Sequence, residues 1–296
     1  CRESGNADDA RLPMRGWGVP VIDTAVKTSK PGDYVDAETG LLTCSVCHKG
    51  KQVRLELYGQ ASVMSCLCDC ERAALEAEEE KRQARQRAAK VAGLRKAGLQ
   101  DELLAGCTFA NDDGTNPQMP KARAYIEAWE LMYAQGFGML VYGPVGTGKS
   151  FFAGCIANEL VNRGVSVLVT NIPRVLNDLA DTRLSGRGAY LSKLDSFDLL
   201  VIDDLGVERT SDYGFEQVFS VIDGRYRTGR PLIVTTNIPL KAMKDEAAPI
   251  EKRRIYDRIL ERCAPVCMNG KNYRKQKAAA NLATMQRLLA DTGCIE

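Results

Sequence analysis

The sequence predicts an α/β fold. A parallel five-stranded sheet wrapped by helices is preceded by a small cysteine-rich module and a charged helix. Three observations carry this expectation. Residues 143–150 read Gly143-Pro144-Val145-Gly146-Thr147-Gly148-Lys149-Ser150, a complete G-x-x-x-x-G-K-[ST] loop between an apolar run and a helical pattern. Residues 197–204 form an apolar run that closes in Asp203 and Asp204. Cys44 and Cys47 are followed, after 18 residues, by Cys66, Cys68 and Cys70.

Phe137–Gly143 is short and apolar and reads as the first strand of the sheet, and Phe151–Val161 has apolar residues at helical spacing. Strand, glycine loop and helix in that order make a phosphate cradle. The glycines let backbone N–H groups turn inward around phosphate oxygens. The helix presents its positive dipole end to the same oxygens. Lys149 is expected to reach the β- and γ-phosphates of ATP, and the Ser150 hydroxyl to take a Mg²⁺ position. Strands buried on both faces read as continuous apolar runs, and charge is tolerated at their carboxyl ends, where ligands bind. Asp203 is therefore expected to organise Mg²⁺. Asp204 is the candidate to polarise the attacking water, with Glu208 as its competitor.

Further strands are expected at Val165–Thr170, Pro231–Asn237 and Ala264–Asn269, with helices near 213–228 and 250–262 between the later ones. This alternation means βαβ units, right-handed crossovers and a parallel sheet. Asn237 closes the strand after the carboxylate strand and is placed to hydrogen-bond the γ-phosphate or the lytic water.

These motifs resemble the AAA+ ATPases, and more narrowly the DnaC-type helicase loaders and IstB-type transposition helpers. The resemblance rests on Gly143–Ser150, on Leu200-Val-Ile-Asp-Asp-Leu-Gly-Val-Glu208, on Thr235-Thr-Asn237, and on two arginine segments, Arg254-Ile-Tyr-Asp-Arg258 and Asn272-Tyr-Arg274. It implies that Arg258, or Arg254 in its place, reaches the γ-phosphate of a neighbouring subunit, and that Arg274 contacts phosphate in its own chain. Both roles need a guanidinium, whose charge is permanent and whose fork fits phosphate oxygens. Many relatives carry Glu where Asp204 stands, and the shorter side chain implies slow or partner-dependent hydrolysis. The 22 residues after Arg274 are fewer than a helical lid needs, which is also like the loader group. The resemblance further implies an added helical stretch over Asn171–Tyr190. There Arg174, Arg183, Arg187 and Tyr190 would contact single-stranded DNA by charge and stacking. An ordinary amphipathic surface helix explains them as well. The strip before the first helix cups the adenine in relatives, and Phe109 is the candidate there.

Two short-spaced thiolate groups suit tetrahedral Zn²⁺. Cys44 and Cys47 supply one pair. Two of Cys66, Cys68 and Cys70 complete the site, with Cys68 and Cys70 favoured. Gln52–Tyr58 alternates like a strand, so a β-ribbon is expected to join the knuckles. An iron–sulfur cluster or a disulfide is the lesser alternative, because thiols in an ATP-using intracellular protein stay reduced. Zinc replaces the core that so short a module cannot build. Some phage members of the loader group carry such a cluster, where loaders hold the helicase.

Glu71–Gly98 is acidic at its start and basic at its end, which suits a helix dipole. Its large apolar residues are Leu75, Val91 and Leu94, so it buries no face in a core and reads as a solvated spacer, the favoured reading, or as a docking helix whose basic half meets DNA or the helicase. The expected organisation is a disordered or extended N-terminus over 1–40, a zinc-binding module over 41–71, a charged linker helix over 72–98, an ATPase domain over 99–275 and a tail or helix over 276–296.

The chain has 296 residues, 45% of them hydrophobic, and 40 basic against 38 acidic residues for a net charge of +2. Such a balance excludes a global basic field, so nucleic-acid binding must be local and salt-sensitive. No apolar run approaches the ~20 residues that span a membrane. A cytoplasmic ATPase is expected, with a hexameric replicative helicase, single-stranded DNA and further copies of itself as partners. A transposition helper or a non-catalytic ATP-gated adaptor is the alternative.

Overall fold

The structure is a computed structural model and describes residues 30–57, 60–182, 186–206 and 212–291. The chain divides into two units at Ala84 and Arg85.

In the first unit, strands β1 (Tyr34–Val35) and β2 (Leu42–Thr43) pair antiparallel. Strands β3 (Gln52–Leu57) and β4 (Gln60–Ser65) form an antiparallel ribbon with Gln52 opposite Ser65. This is the ribbon expected between the knuckles. Helix α1 (Asp69–Gly98) follows. The interior of this unit is not hydrocarbon. Its buried residues, among those described, are Thr43, Cys44, Lys51 and Cys68. The Lys51 ammonium has no exposed surface and is neutralised by Asp33 Oδ2 at 2.6 Å and Glu71 Oε1 at 2.8 Å. A buried cation persists only with such partners.

The second unit opens with the last turns of α1. Val91 and Leu94 pack against the core, and Leu99 just beyond them is buried. Arg95 donates to Asn158 Oδ1 at 2.6 Å and to Asn162 Oδ1 at 2.9 Å. Gly98 is required here, because a Cβ would stand 1.7 Å from the Val167 carbonyl oxygen. The expectation that the charged helix buries no face thus fails at its end. Val91, Leu94 and Gly98 fall at i, i+3 and i+7, a short apolar seam masked by the charge around it. Leu75, in the first unit, is exposed as expected.

Helix α2 (Glu102–Ala105) and a 3₁₀ turn at Phe109–Asn111 lead to α3 (Met119–Glu127) and α4 (Trp129–Gln135). Then come β5 (Gly138–Tyr142), α5 (Lys149–Asn162), β6 (Val167–Asn171), α6 (Ile172–Asp181), α7 (Arg187–Ser196) and β7 (Leu199–Leu205). The chain continues through α8 (Asp212–Thr228), β8 (Leu232–Thr236), α9 (Leu240–Met243), α10 (Ile250–Arg262), β9 (Cys263–Cys267) and α11 (Tyr273–Asp291). The five strands are parallel in the order β6-β7-β8-β5-β9.

Alternate strand residues feed two cores, as strand geometry requires. Met139, Val141, Val169, Val201 and Ile233 pack under α3, α4 and α5. Leu140, Leu200, Ile202 and Val234 pack under α6, α8 and α10. Both faces are covered, which explains the unbroken apolar runs. Arg225 is buried at the far end of the sheet and donates to the carbonyls of Phe197, Asp198 and Pro231, fastening the chain segments that enter β7 and β8.

The register of β7 against β8 breaks between Ile202 and Leu205, where β7 carries one residue more than its partner. Asp203 and Asp204 occupy this bulge, and Asp204 is left-handed at φ 54°.

Candidate functional site

The carboxyl ends of β5, β7 and β8 open into one cleft with the loop of residues 143–148 and the segment Asn272–Arg274. Lys149 begins α5 and is almost fully buried. Its ammonium donates to Gly143 O at 3.0 Å, Pro144 O at 2.9 Å and Asn237 Oδ1 at 2.6 Å. Burial lowers its pKa, against the attraction of Asp204 and Asp203. Thr147 Oγ1 donates to Pro144 O at 2.9 Å and braces the loop. Gly146 is left-handed at φ 83°, and a Cβ there would lie 2.2 Å from Asn272 Oδ1, so the loop and the segment close on each other without a side chain between.

Asp203 takes hydrogen bonds from Thr235, at 2.5 Å, and from Ser150. Burial pushes its carboxyl upward, and those two bonds oppose the shift. Thr235 has no exposed surface and works in both directions, since its Oγ1 also accepts the Asp204 N–H at 2.9 Å. The structure therefore gathers Gly143 to Ser150, Asp203, Asp204, Asn237 and Arg274 around one cleft. These residues fit Mg²⁺-ATP. The ammonium already holds three oxygen acceptors of the kind phosphate presents, and a hydroxyl–carboxylate pair, Ser150 with Asp203, stands beside it.

Other candidates lie elsewhere. Arg258, on α10, is outside its own chain's cleft. Its Nε donates to Asp223 Oδ1 at 2.8 Å, and its guanidinium lies 4.6 Å from the Phe219 ring centroid. Arg254 covers the same ring at 4.4 Å. Phe109 does not line the cavity beside the cleft. It packs on the core with the Arg123 guanidinium 4.2 Å above its ring, so the adenine expectation for Phe109 is corrected. Tyr190 also packs, partly buried, against the core, and its hydroxyl donates to Asp178 Oδ2 at 2.8 Å, so the ring expected to stack on bases is held against its own chain. Arg174 is bonded to Gln100. Arg183 and Glu208 lie outside the described residues.

In the first unit the ligand sulfurs of Cys44, Cys47, Cys68 and Cys70 all lie within 4.8 Å of one another. Cys44 Sγ is 3.5 Å and Cys68 Sγ 3.3 Å from Cys70 Sγ. A tetrahedral Zn–S₄ centre with bonds of ~2.3 Å separates its sulfurs by about 3.8 Å, so one ion fits. The first knuckle is a tight turn in which Val46 N–H points at Cys44 Sγ at 3.4 Å and His48 is left-handed at φ 55°. Its neighbours raise Cys70 to about 12, chiefly through hydrogen bonds with Cys68 and Cys44. Cys47 is held at about 6, chiefly by the Cys70 N–H. A cation at the centre of the four sulfurs would let all four ionise together. Cys66 is the fifth cysteine and stays apart, its thiol directed at the Gly50 carbonyl. His48 instead contacts the Tyr34 hydroxyl at 3.2 Å.

The family model of IstB-like ATP binding proteins matches residues 66–281. The chain belongs to that family. This IstB-like chain is 32% identical over 182 residues to the replicative helicase loader DnaC of Escherichia coli K12, covering 59% of this chain and 71% of that one. It is 28% identical over 196 residues to a putative ATP-binding protein in an insertion sequence of Mycobacterium tuberculosis, covering 65% and 76%. A crystal structure of the DnaC helicase loader superposes with a TM-score of 0.50 at 20% identity, over 57% of this chain and 100% of that one, a likeness of fold. The protein is thus an AAA+ ATP-binding protein of the IstB and DnaC family. No helix among the described residues is long and apolar enough to cross a membrane.

Thr235, Asn272 and Tyr273 carry no role in the reading of the sequence, although two of the motifs contain them. A buried threonine inside an apolar strand was the available signal for Thr235.

Proposed function

We propose that the protein loads a replicative DNA helicase, using ATP to set when it grips and when it releases. The observation that carries this reading is the four-thiol cluster, a preformed module joined to an AAA+ unit that resembles DnaC. Zinc at Cys44, Cys47, Cys68 and Cys70 would hold the module folded. Mg²⁺ at Ser150 and Asp203 would supply charge neutralisation for the phosphates. Lys149 binds the β- and γ-phosphates, Asp204 orients the attacking water, and Asn237 and Arg274 hold the γ-phosphate side of the cleft. Arg258 serves the cleft of an adjoining copy, so assembly and hydrolysis are linked. In the isolated chain that arginine is held by Asp223, and Asp204 is one methylene shorter than Glu. Both features support slow turnover that partners stimulate. Arg174 and Arg187 remain the cations for single-stranded DNA, without a stacking role for Tyr190.

The second reading is an ATPase that helps a transposase choose DNA targets, favoured by the matches to insertion-sequence proteins. Gel filtration with light scattering, with and without ATP and Mg²⁺, separates the two. A complex with a hexameric replicative helicase that is lost in a Cys44→Ser, Cys47→Ser variant with a folded ATPase unit supports the loader. No complex in any nucleotide state, together with a complex on a transposase, sinks it.

A further inference from the structure

A second cavity adjoins the phosphate cleft, and the two share Gly148, Phe151 and Tyr273. Its other walls are Asn111, Asp112, Asp113 and Asn116. Hydrogen bonds join the two walls across 158 positions of sequence. Tyr273 Oη lies 2.7 Å from Thr115 Oγ1. Thr115 Oγ1 donates to Asp113 Oδ1 at 2.7 Å. The single threonine proton is engaged by the carboxylate, so the tyrosine hydroxyl donates in the other bond.

Both ends of this link are anchored. Tyr273 N–H donates to Gly146 O at 2.8 Å, and its ring lies against Gly148, 3.6 Å from where a Cβ would stand. Asn272 Nδ2 donates to Val145 O at 3.0 Å. On the opposite side Asp113 Oδ1 accepts the Thr115 N–H at 3.0 Å, and Asp112 Oδ1 accepts the Gly114 N–H at 3.2 Å. The cavity offers two aromatic rings for stacking and carboxylate and amide oxygens for hydroxyl or amine donors. None of its lining residues is Lys or Arg, so it is not built for another phosphate.

We propose that Tyr273 and Thr115 form a clasp over the base and ribose of the bound nucleotide. This rests on the reading of the loop as the ATP site. Phosphates seated on residues 143–150 place the nucleoside beside this cavity, which shares Gly148, Phe151 and Tyr273 with the phosphate cleft. The clasp closes the wall contributed by α11 onto the loop of residues 111–116, so it slows nucleotide release without touching phosphate.

The test is calorimetric titration of the full chain with ADP and, separately, with inorganic tripolyphosphate. Tyr273→Phe and Thr115→Val each remove one hydrogen-bonding group and keep the shape. Each should weaken ADP about 2- to 10-fold, the worth of one net hydrogen bond. The double variant should be no weaker than Thr115→Val, which already deletes the shared bond together with its own bond to Asp113. Tripolyphosphate affinity should not move. Unchanged ADP affinity in both variants overturns the clasp. So does an equal loss for ADP and tripolyphosphate, which makes the bond a brace of the phosphate loop alone. Failure of the underlying site is seen separately: wild-type protein that binds no ADP, or a Lys149→Ala variant that binds it unchanged, removes the ATP-site reading and the clasp with it.

Discussion

Replacing Thr235 by Val tests whether the two carboxylates work as a tethered pair. The hydroxyl accepts the Asp204 N–H at 2.9 Å and donates to Asp203 at 2.5 Å, with no exposed surface of its own. Valine keeps the shape, leaves the Asp204 N–H without its acceptor and takes from Asp203 one of its two hydrogen bonds. An unsatisfied buried donor costs about 1–3 kcal/mol and a lost net hydrogen bond about 1 kcal/mol, so the two together amount to roughly 2–4 kcal/mol. For a unit of this size that is a fall in Tm of roughly 5–15 °C. Function should fall further, because the Asp204 N–H bond holds a left-handed residue in place. Misplacing a reacting group by about 1 Å costs up to ~100-fold in rate, so turnover should drop roughly 10- to 100-fold with ATP affinity little changed. Thr235→Ser keeps the hydroxyl and loses one methyl, about 1 kcal/mol, and should retain most turnover. The assays are a thermal melt and steady-state ATP hydrolysis on the same preparations. A valine variant as stable and as fast as wild type refutes the argument, as does a serine variant equally damaged.

The cysteine geometry separates Cys66 from the others. Elemental analysis should find about one zinc per chain in Cys66→Ser and none in Cys68→Ser, and zinc lost equally from both would remove the four-thiol assignment. Lys51 holds Glu71 at about 2, from an ordinary 4.5, so its carboxylate should titrate by NMR near that lower value. The sign follows from the depressed pKa: this ion pair stabilises fully above about pH 4.5 and is lost as pH falls toward 2, so a midpoint left at 4.5 would count against the buried triad. Arg258→Ala subunits mixed below equimolar amounts should depress ATPase activity more than dilution does, while strictly proportional loss argues that the arginine serves no neighbour.

Most of the sheet was legible because parallel strands buried on both faces leave long apolar runs. Each expected strand, at 137–143, 165–170, 197–204, 231–237 and 264–269, overlaps a strand of the sheet. The phosphate loop was legible for a related reason, since its chemistry uses contiguous residues. Long-range choices were less visible. Val91 and Leu94 are two apolar residues in a charged helix, and only the fold shows that Arg95 meets Asn158 and Asn162 beside them. Tyr190 carries both a stacking ring and a hydroxyl. The hydroxyl bonds Asp178 twelve positions away, and the ring packs partly buried against the core. Phe109 likewise had the right type and place, but Arg123 covers its ring. The cysteines were readable as a cluster, yet the choice of Cys68 and Cys70 over Cys66 depends on where β4 ends and α1 begins.

The aspartate at 204 shows how backbone and chemistry select one residue together. The extra residue in β7 breaks its pairing with β8 just where the strand reaches the cleft. One carboxylate, Asp203, turns toward Thr235 and Ser150, while the next lines the cleft. In a regular strand successive side chains point to opposite faces, and one of the two would be driven into a core. The bulge avoids that by placing Asp204 at φ 54°, a conformation that costs most side chains about 1–2 kcal/mol and that Asp and Asn tolerate best. A shorter carboxylate is therefore not only a weaker version of a glutamate. It is the acid that this backbone accepts, and Thr235 holds the backbone in that state through the Asp204 N–H. If Asp204 orients the water as proposed, its reach is limited by the same geometry that brings the two carboxylates to one cleft, and a partner that stimulated hydrolysis would have to move the β7 and β8 ends relative to each other.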